Sequence, residues 1–149
     1  MKRYSPVLFL SLALMTMACT GQGSSEEKTA LDQLSNSFAL SLEALEAVVV
    51  VPASGCDDCI SDGESLLLQE LVKDESTYNF IITGYESRKD AMIRFQQDPS
   101  VASFIHLDTL GKFNKEPYVT SAPKIFLVEE GQFAGEGEIQ FDGSTYITH

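Results

Sequence analysis

The stretch AVVVVPASGCDDCI, residues 47–60, decides how this chain is read. Four successive valines, Val48 to Val51, mark a strand buried on both faces, as in a parallel or mixed sheet. Pro52 closes the run, and Gly55 permits a sharp turn. From Cys56 onward the pattern becomes helical, with Ile60, Leu67, Leu68, Leu71 and Val72 forming an apolar stripe. Gly63 weakens that helix by about 1 kcal/mol relative to alanine. The Cys56-Asp57-Asp58-Cys59 motif therefore stands where a strand turns into a helix.

Working outward, the same two periodicities alternate. Upstream, Leu31, Leu34, Phe38, Leu42 and Leu45 follow helical spacing, which predicts an amphipathic helix across residues 30–45, although Phe38, Leu40 and Leu42 also alternate as a strand would. Downstream, YNFIITGY (78–85) reads as a second strand. Ser87, three residues before Asp90, forms a variant capping box that opens a helix carrying Ala91, Met92 and Phe95. VASFIHLD (101–108) reads as a third strand and GKFNKEPYVTSAP as a loop or short helix. KIFLVEEGQF then reads as a strand ending in a turn, and GEGEIQF as its hairpin partner. Strands alternating with helices predict an α/β sandwich.

The chain has 149 residues, enough for one domain with a core of its own. Its net charge of −12 repels phosphate backbones and argues against nucleic-acid binding. Lys2 and Arg3, followed by the apolar run from Val7 to Ala18, read as an export signal rather than a permanent membrane span. Thr16-Met17-Ala18-Cys19 resembles a bacterial lipoprotein processing site, with Thr16 where leucine is usual. That resemblance implies a signal peptide over residues 1–18 and lipidation of Cys19, with several acyl chains giving stable anchoring. Residues 19–28, small and polar, read as a tether, and residues 29–149 as the domain. Thr20, in place of the aspartate that favours the inner membrane in enterobacterial lipoproteins, points to the outer membrane. With Cys19 lipidated, Cys56 and Cys59 remain as a pair in an oxidising compartment.

A cysteine at a helix N-terminus gains from unpaired N–H groups and the helix dipole, which favour the nucleophilic thiolate. The spacing puts Cys59 on the first turn, within reach of a mixed disulfide on Cys56. Asp57 and Asp58 oppose this, because negative charge beside a thiol disfavours its ionised form. A disulfide across two intervening residues closes too small a loop to stabilise much through chain entropy, so a purely structural role is less attractive.

The assembly VVVVPASGCDDCI, a strand–helix–strand, and SAPKIFLVEEGQF resembles the thioredoxin-like superfamily, and within it the membrane-anchored thiol–disulfide lipoproteins related to TlpA. The resemblance spans roughly residues 45–140 and implies a three-layer sandwich around a central mixed sheet. It implies thiol–disulfide exchange with protein substrates in the cell envelope, facing the periplasm, with electrons exchanged with a redox partner protein rather than a bound cofactor. Cys56 would be the nucleophile and Cys59 the resolving thiol. Pro123 would be a cis-proline facing them, and Ala122 would pair its backbone with an extended substrate. The sequence departs from many relatives in lacking a tryptophan before the first cysteine and a buried acid on the preceding strand. The usual final helix is also missing, since FDGSTYITH is short and has no helical stripe. Its sheet face falls to another element, for which the helix at 30–45 is the candidate.

Other readings of the pair remain beside this one. Pro52-x-x-x-Cys56-x-x-Cys59 has peroxiredoxin spacing, but Cys56 replaces the threonine that peroxide chemistry needs. Cys-x-x-Cys is half of a zinc site, yet no second pair exists, and only His106 and His149 are available. His106, in an apolar strand, reads as a satisfied core or edge histidine. The alternative to exchange is a non-enzymatic thioredoxin-like binding module on a lipid anchor.

Overall fold

The computed structural model describes residues 25–73, 75–96, 98–141 and 145–148. Residues 1–24, which hold the expected signal peptide, Cys19 and most of the expected tether, lie outside them, as does His149. Helix α1 runs Ser25–Phe38 and is followed by a 3-10 turn at Leu42–Ala44. Then come β1 (Ala47–Pro52), α2 (Asp57–Leu71), β2 (Tyr78–Thr83), α3 (Arg88–Phe95), a 3-10 turn at Pro99–Val101, β3 (Ile105–Asp108), β4 (Lys124–Glu129), β5 (Gln132–Phe141) and β6 (Thr145–Thr148).

The valine strand is central. β1 pairs in parallel with β2 and antiparallel with β4, so the mixed sheet runs in the order β3-β2-β1-β4-β5, with β6 against the far end of β5. Every residue of β1 is buried. Period-two alternation splits it between two cores. Val49 and Val51, with Phe80, Ile82, Ile125 and Leu127, pack under α2 and α3 through Leu66, Leu67, Ala91 and Phe95. Val48 and Val50, with Ile81, Phe126 and Val128, pack under Ala30, Leu31 and Leu34 of α1 and under Phe113, Tyr118 and Val119 of the long loop. The chain is thus an α/β sandwich of three layers, with α1 covering the second face as expected. Among the described residues the chain after β5 forms a strand, β6, and not a helix.

Three boundaries differ from the sequence expectation. Helix α1 starts and stops earlier than predicted. Residues 25–28, read as tether, form its first turn, where Glu26 and Glu27 complement the helix dipole. It ends because Ala39 adopts the left-handed conformation (φ 52°), and the Leu40 N–H returns to the Ser35 carbonyl at 3.0 Å in a Schellman-type closure. Leu42 and Leu45 still pack on the α1-side core, but from the following turn. The third strand is shorter than 101–108. Asp98 Oδ1 accepts from the Ser100 N–H at 3.1 Å, and the Ile105 N–H bonds the Ala102 carbonyl, so the chain is still turning until Ile105.

The cap predicted at Ser87 is present, its side chain accepting from the Asp90 N–H. The hairpin β4–β5 forms as read, with a register shift between Leu127 and Val128. The loop between β3 and β4 is held by one buried carboxylate. Asp108 accepts from the Thr83 hydroxyl at 2.8 Å, the Phe113 N–H at 2.7 Å and the Lys112 N–H at 3.1 Å. Those bonds start the loop that returns as residues 119–123 beside the cysteine pair.

Candidate functional site

The site is assembled where β1 ends. The Ala53 N–H reaches the Thr83 carbonyl at the end of β2 (2.8 Å), which steers the chain off the sheet. Gly55 then takes φ +154°, and the Cys56 N–H donates to the Ser121 carbonyl at 2.7 Å. A side chain at residue 55 is excluded, because a Cβ there would stand 2.2 Å from that carbonyl oxygen. Gly55 is therefore needed both for its backbone angle and for the close approach of the Ser121 segment.

Cys56 is the N-cap of α2 and has no side-chain capping bond, while its carbonyl accepts the first helical bond from Ile60 at 2.9 Å. Cys59 lies on the first turn. The two sulfurs are bonded as a disulfide, with Cα atoms 5.3 Å apart, inside the range ordinary for such bridges. Cys56 is an exposed residue and Cys59 a half-buried one. Asp57 and Asp58 follow in the first turn, both exposed and at the positive end of the helix dipole.

Ala122 and Pro123 do stand beside the pair. With Cys59, Asp62, Gly137 and Ile139 they line an open groove of about 390 Å³. The peptide between them, however, is trans. The cis X–Pro bond among the described residues is Glu116–Pro117, earlier in the same loop, which corrects the expectation of a cis-proline at 123. Either isomer is accessible to a tertiary X–Pro amide, and sequence does not choose between two such bonds in one loop. What positions Pro123 is its ring against α2: a Cβ on Gly63 would come within 2.6 Å of Pro123 Cγ. Gly63, read from sequence only as a weak point in the helix, is the residue that lets this segment close on α2.

A second groove, about 430 Å³, lies on the other side of the pair and is lined by Ala53, Asp57, Ile60, Ser61, Tyr85 and Arg94. Arg94 holds Glu64 in a bidentate pair at 2.8 and 2.7 Å, tying α3 to α2. Burial pushes the Tyr85 phenol up to about 12, and the neighbouring Glu64 carboxylate adds to this while Arg94 opposes it. Neither the Glu64–Arg94 pair nor the Asp62 wall was legible from spacing, since both depend on how α2 lies against α3 and the β5 arm.

His106 is an edge-strand histidine, hydrogen-bonded through one ring nitrogen. Its Nε2 lies 2.8 Å from Asn79 Oδ1 and its ring packs against Phe38, with burial lowering its pKa. Among the described residues no three histidine, cysteine or acidic side chains group as a metal site. No helix there is long and apolar enough to cross a membrane.

Compared with known protein families, curated proteins and solved structures, the chain has no significant match.

Proposed function

We propose that the protein carries out thiol–disulfide exchange with protein substrates through Cys56 and Cys59, on a thioredoxin-like domain. The observation that carries this reading is a solvent-exposed cysteine at the N-cap of α2, bonded to a half-buried cysteine one turn along. A bridge built only for stability has no need of an exposed cysteine at a helix N-terminus, where a thiolate is favoured. The thioredoxin-like assignment draws on the sequence resemblance and on the placement of the pair, between the C-terminal end of β1 and α2, in a mixed sheet.

In the reducing direction, the Cys56 thiolate attacks one sulfur of a substrate disulfide. One substrate thiolate leaves and takes up a proton. The Cys59 thiol, on losing its proton, attacks Cys56 Sγ and expels the second substrate thiolate, which is protonated in turn. Two electrons pass to the substrate, and the bridge is re-formed. A protein redox partner returns or removes those electrons. Ala122 and Pro123 form the rest against which a substrate segment lies in the groove. The lipoprotein reading of residues 1–19 places the domain in the bacterial cell envelope, anchored through Cys19, facing the periplasm.

The test is the reduction potential of the Cys56–Cys59 pair in a Cys19→Ala variant, equilibrated in thiol buffers. A value between about −120 and about −270 mV is expected of an exchange protein. A value below about −300 mV, or no reversible exchange, marks a structural bridge and leaves a non-enzymatic binding module as the reading. A Cys59→Ser variant should in addition trap mixed disulfides on Cys56.

A further inference from the structure

We infer that Asp62 is a specificity-determining residue of the groove and selects thiols and disulfides that carry a positive charge close to the sulfur. This rests on the exchange reading above and names the substrate class of the same site.

Among the described residues, Asp62 is the charged member of the groove wall. Ala122, Pro123, Gly137 and Ile139 bring small or apolar surface, and Cys59 is the half-buried member of the pair. On a helix, residues three apart share a face, with Cβ atoms about 5–6 Å from each other. Asp62 therefore stands on the groove wall, about one turn along α2 from Cys59. Among the described residues Asp62 is in no ion pair, nor are Asp57 and Asp58 at the head of the same helix.

The nearby cations are already committed. Arg94, across the pair, is held by Glu64. Lys124, next to Pro123, is held by Glu136 at 2.6 Å and Glu27 at 3.5 Å. A substrate whose sulfur is flanked by lysine or arginine finds an unpaired carboxylate in the groove, and one flanked by acidic residues meets repulsion. In water at about 6 Å, one charge pair changes a rate by roughly threefold. The chain's net charge of −12 adds a field of the same sign, which acts at longer range and not through the groove.

The experiment uses the full chain with Cys19→Ala in mild detergent, reduced, and reacted with two small disulfides. Cystamine carries a positive charge on each half, and oxidised glutathione is anionic. Their leaving groups differ in intrinsic reactivity, so the readout is the ratio of the two rates, compared between variants, in which that difference cancels. Asp62→Asn should lower the cystamine-to-glutathione ratio by roughly tenfold at low salt, because cystamine loses about threefold in rate and glutathione gains about as much. Asp32→Asn, which removes an equal charge from the exposed face of α1, should leave the ratio unchanged. Asp62→Ser serves if the asparagine variant does not fold.

An unchanged ratio in a folded Asp62 variant overturns the inference. An equal fall in the Asp32 variant overturns it too, because the preference then belongs to the whole chain's field. If the reduced protein reacts with neither disulfide, the exchange reading itself fails.

Discussion

The backbone N–H of Cys56 donates to the carbonyl of Ser121 at 2.7 Å, which ties the start of α2 to the segment that carries Ala122 and Pro123. This bond joins two parts of the chain far apart in sequence and fixes the groove between them. Its geometry requires residue 55 to lack a side chain, since a Cβ would stand 2.2 Å from the Ser121 oxygen, at φ +154°. Gly55→Ala should destabilise the fold by about 1–3 kcal/mol through its backbone conformation alone, with the contact adding to that. Urea titration reads this as a lower midpoint at unchanged slope. An unchanged midpoint would mean that the 121–123 segment is free to move off the cysteine turn.

Gly63 poses a sharper question, because two effects oppose each other there. Alanine in mid-helix is favoured over glycine by about 1 kcal/mol. Against that, its Cβ would lie 2.6 Å from Pro123 Cγ and 3.2 Å from Pro123 Cβ, and a proline ring has no flexible end to swing aside. Overpacking of this kind costs about 1–3 kcal/mol. The packing term is the larger, so Gly63→Ala should lower the melting temperature despite its better helix propensity. A higher melting temperature would show that Pro123 does not rest on α2.

The second sheet face depends on α1. Leu34 is fully buried there and Leu31 nearly so, against Val48, Val50, Ile81 and Phe126. Leu34→Ala should cost about 2–5 kcal/mol, the range for a buried leucine whose cavity does not collapse. The check is a denaturation midpoint, with Asp32→Asn on the exposed side of the same helix as a near-neutral control. A loss below about 1 kcal/mol would mean that α1 is only loosely docked and that the face is covered mainly by the Phe113–Val119 loop.

How much of this was legible beforehand follows from the range of each determinant. Val48 to Val51 could be read as a doubly buried strand because the signal is local, and it implied a covering layer on each face. The Ser87 cap and the β4–β5 hairpin were legible for the same reason. The end of α1 was not, because Ala39 takes a left-handed turn usually given to glycine, and nothing in its identity announces that. The shortened third strand was hidden by Val101, whose apolar side chain suits a strand but which the Asp98 turn leaves exposed. At the site, Cys56 and Cys59 were visible as a motif. Asp62, Gly137 and Ile139 enter the groove only through long-range packing, and which X–Pro bond is cis was decided by the folded loop. Gly63 does carry a local signal: a glycine one turn beyond a Cys-x-x-Cys, inside a helix with an apolar stripe, marks a close approach by another segment.

His106 gives the protein a pH-dependent contribution whose sign can be worked out. The ring is half-buried between Asn79 and Phe38, and burial disfavours its charged form, so its pKa in the fold lies below the ordinary 6.5. Below about pH 6.5 the unfolded chain takes up a proton on this residue while the folded chain does not yet do so, and protons therefore favour unfolding. The stability contribution is fully present above pH 6.5 and is lost as pH falls through the lowered value. Other carboxylates titrate lower down, so the measurement is the difference in unfolding free energy between the wild type and His106→Gln across pH 4.5 to 8, limits set roughly around the ordinary histidine pKa. That difference should be flat at the alkaline end and should fall, to the disadvantage of the wild type, below about pH 6.5. A rise instead would mean that a carboxylate stabilises the protonated ring, and that burial is not what governs His106.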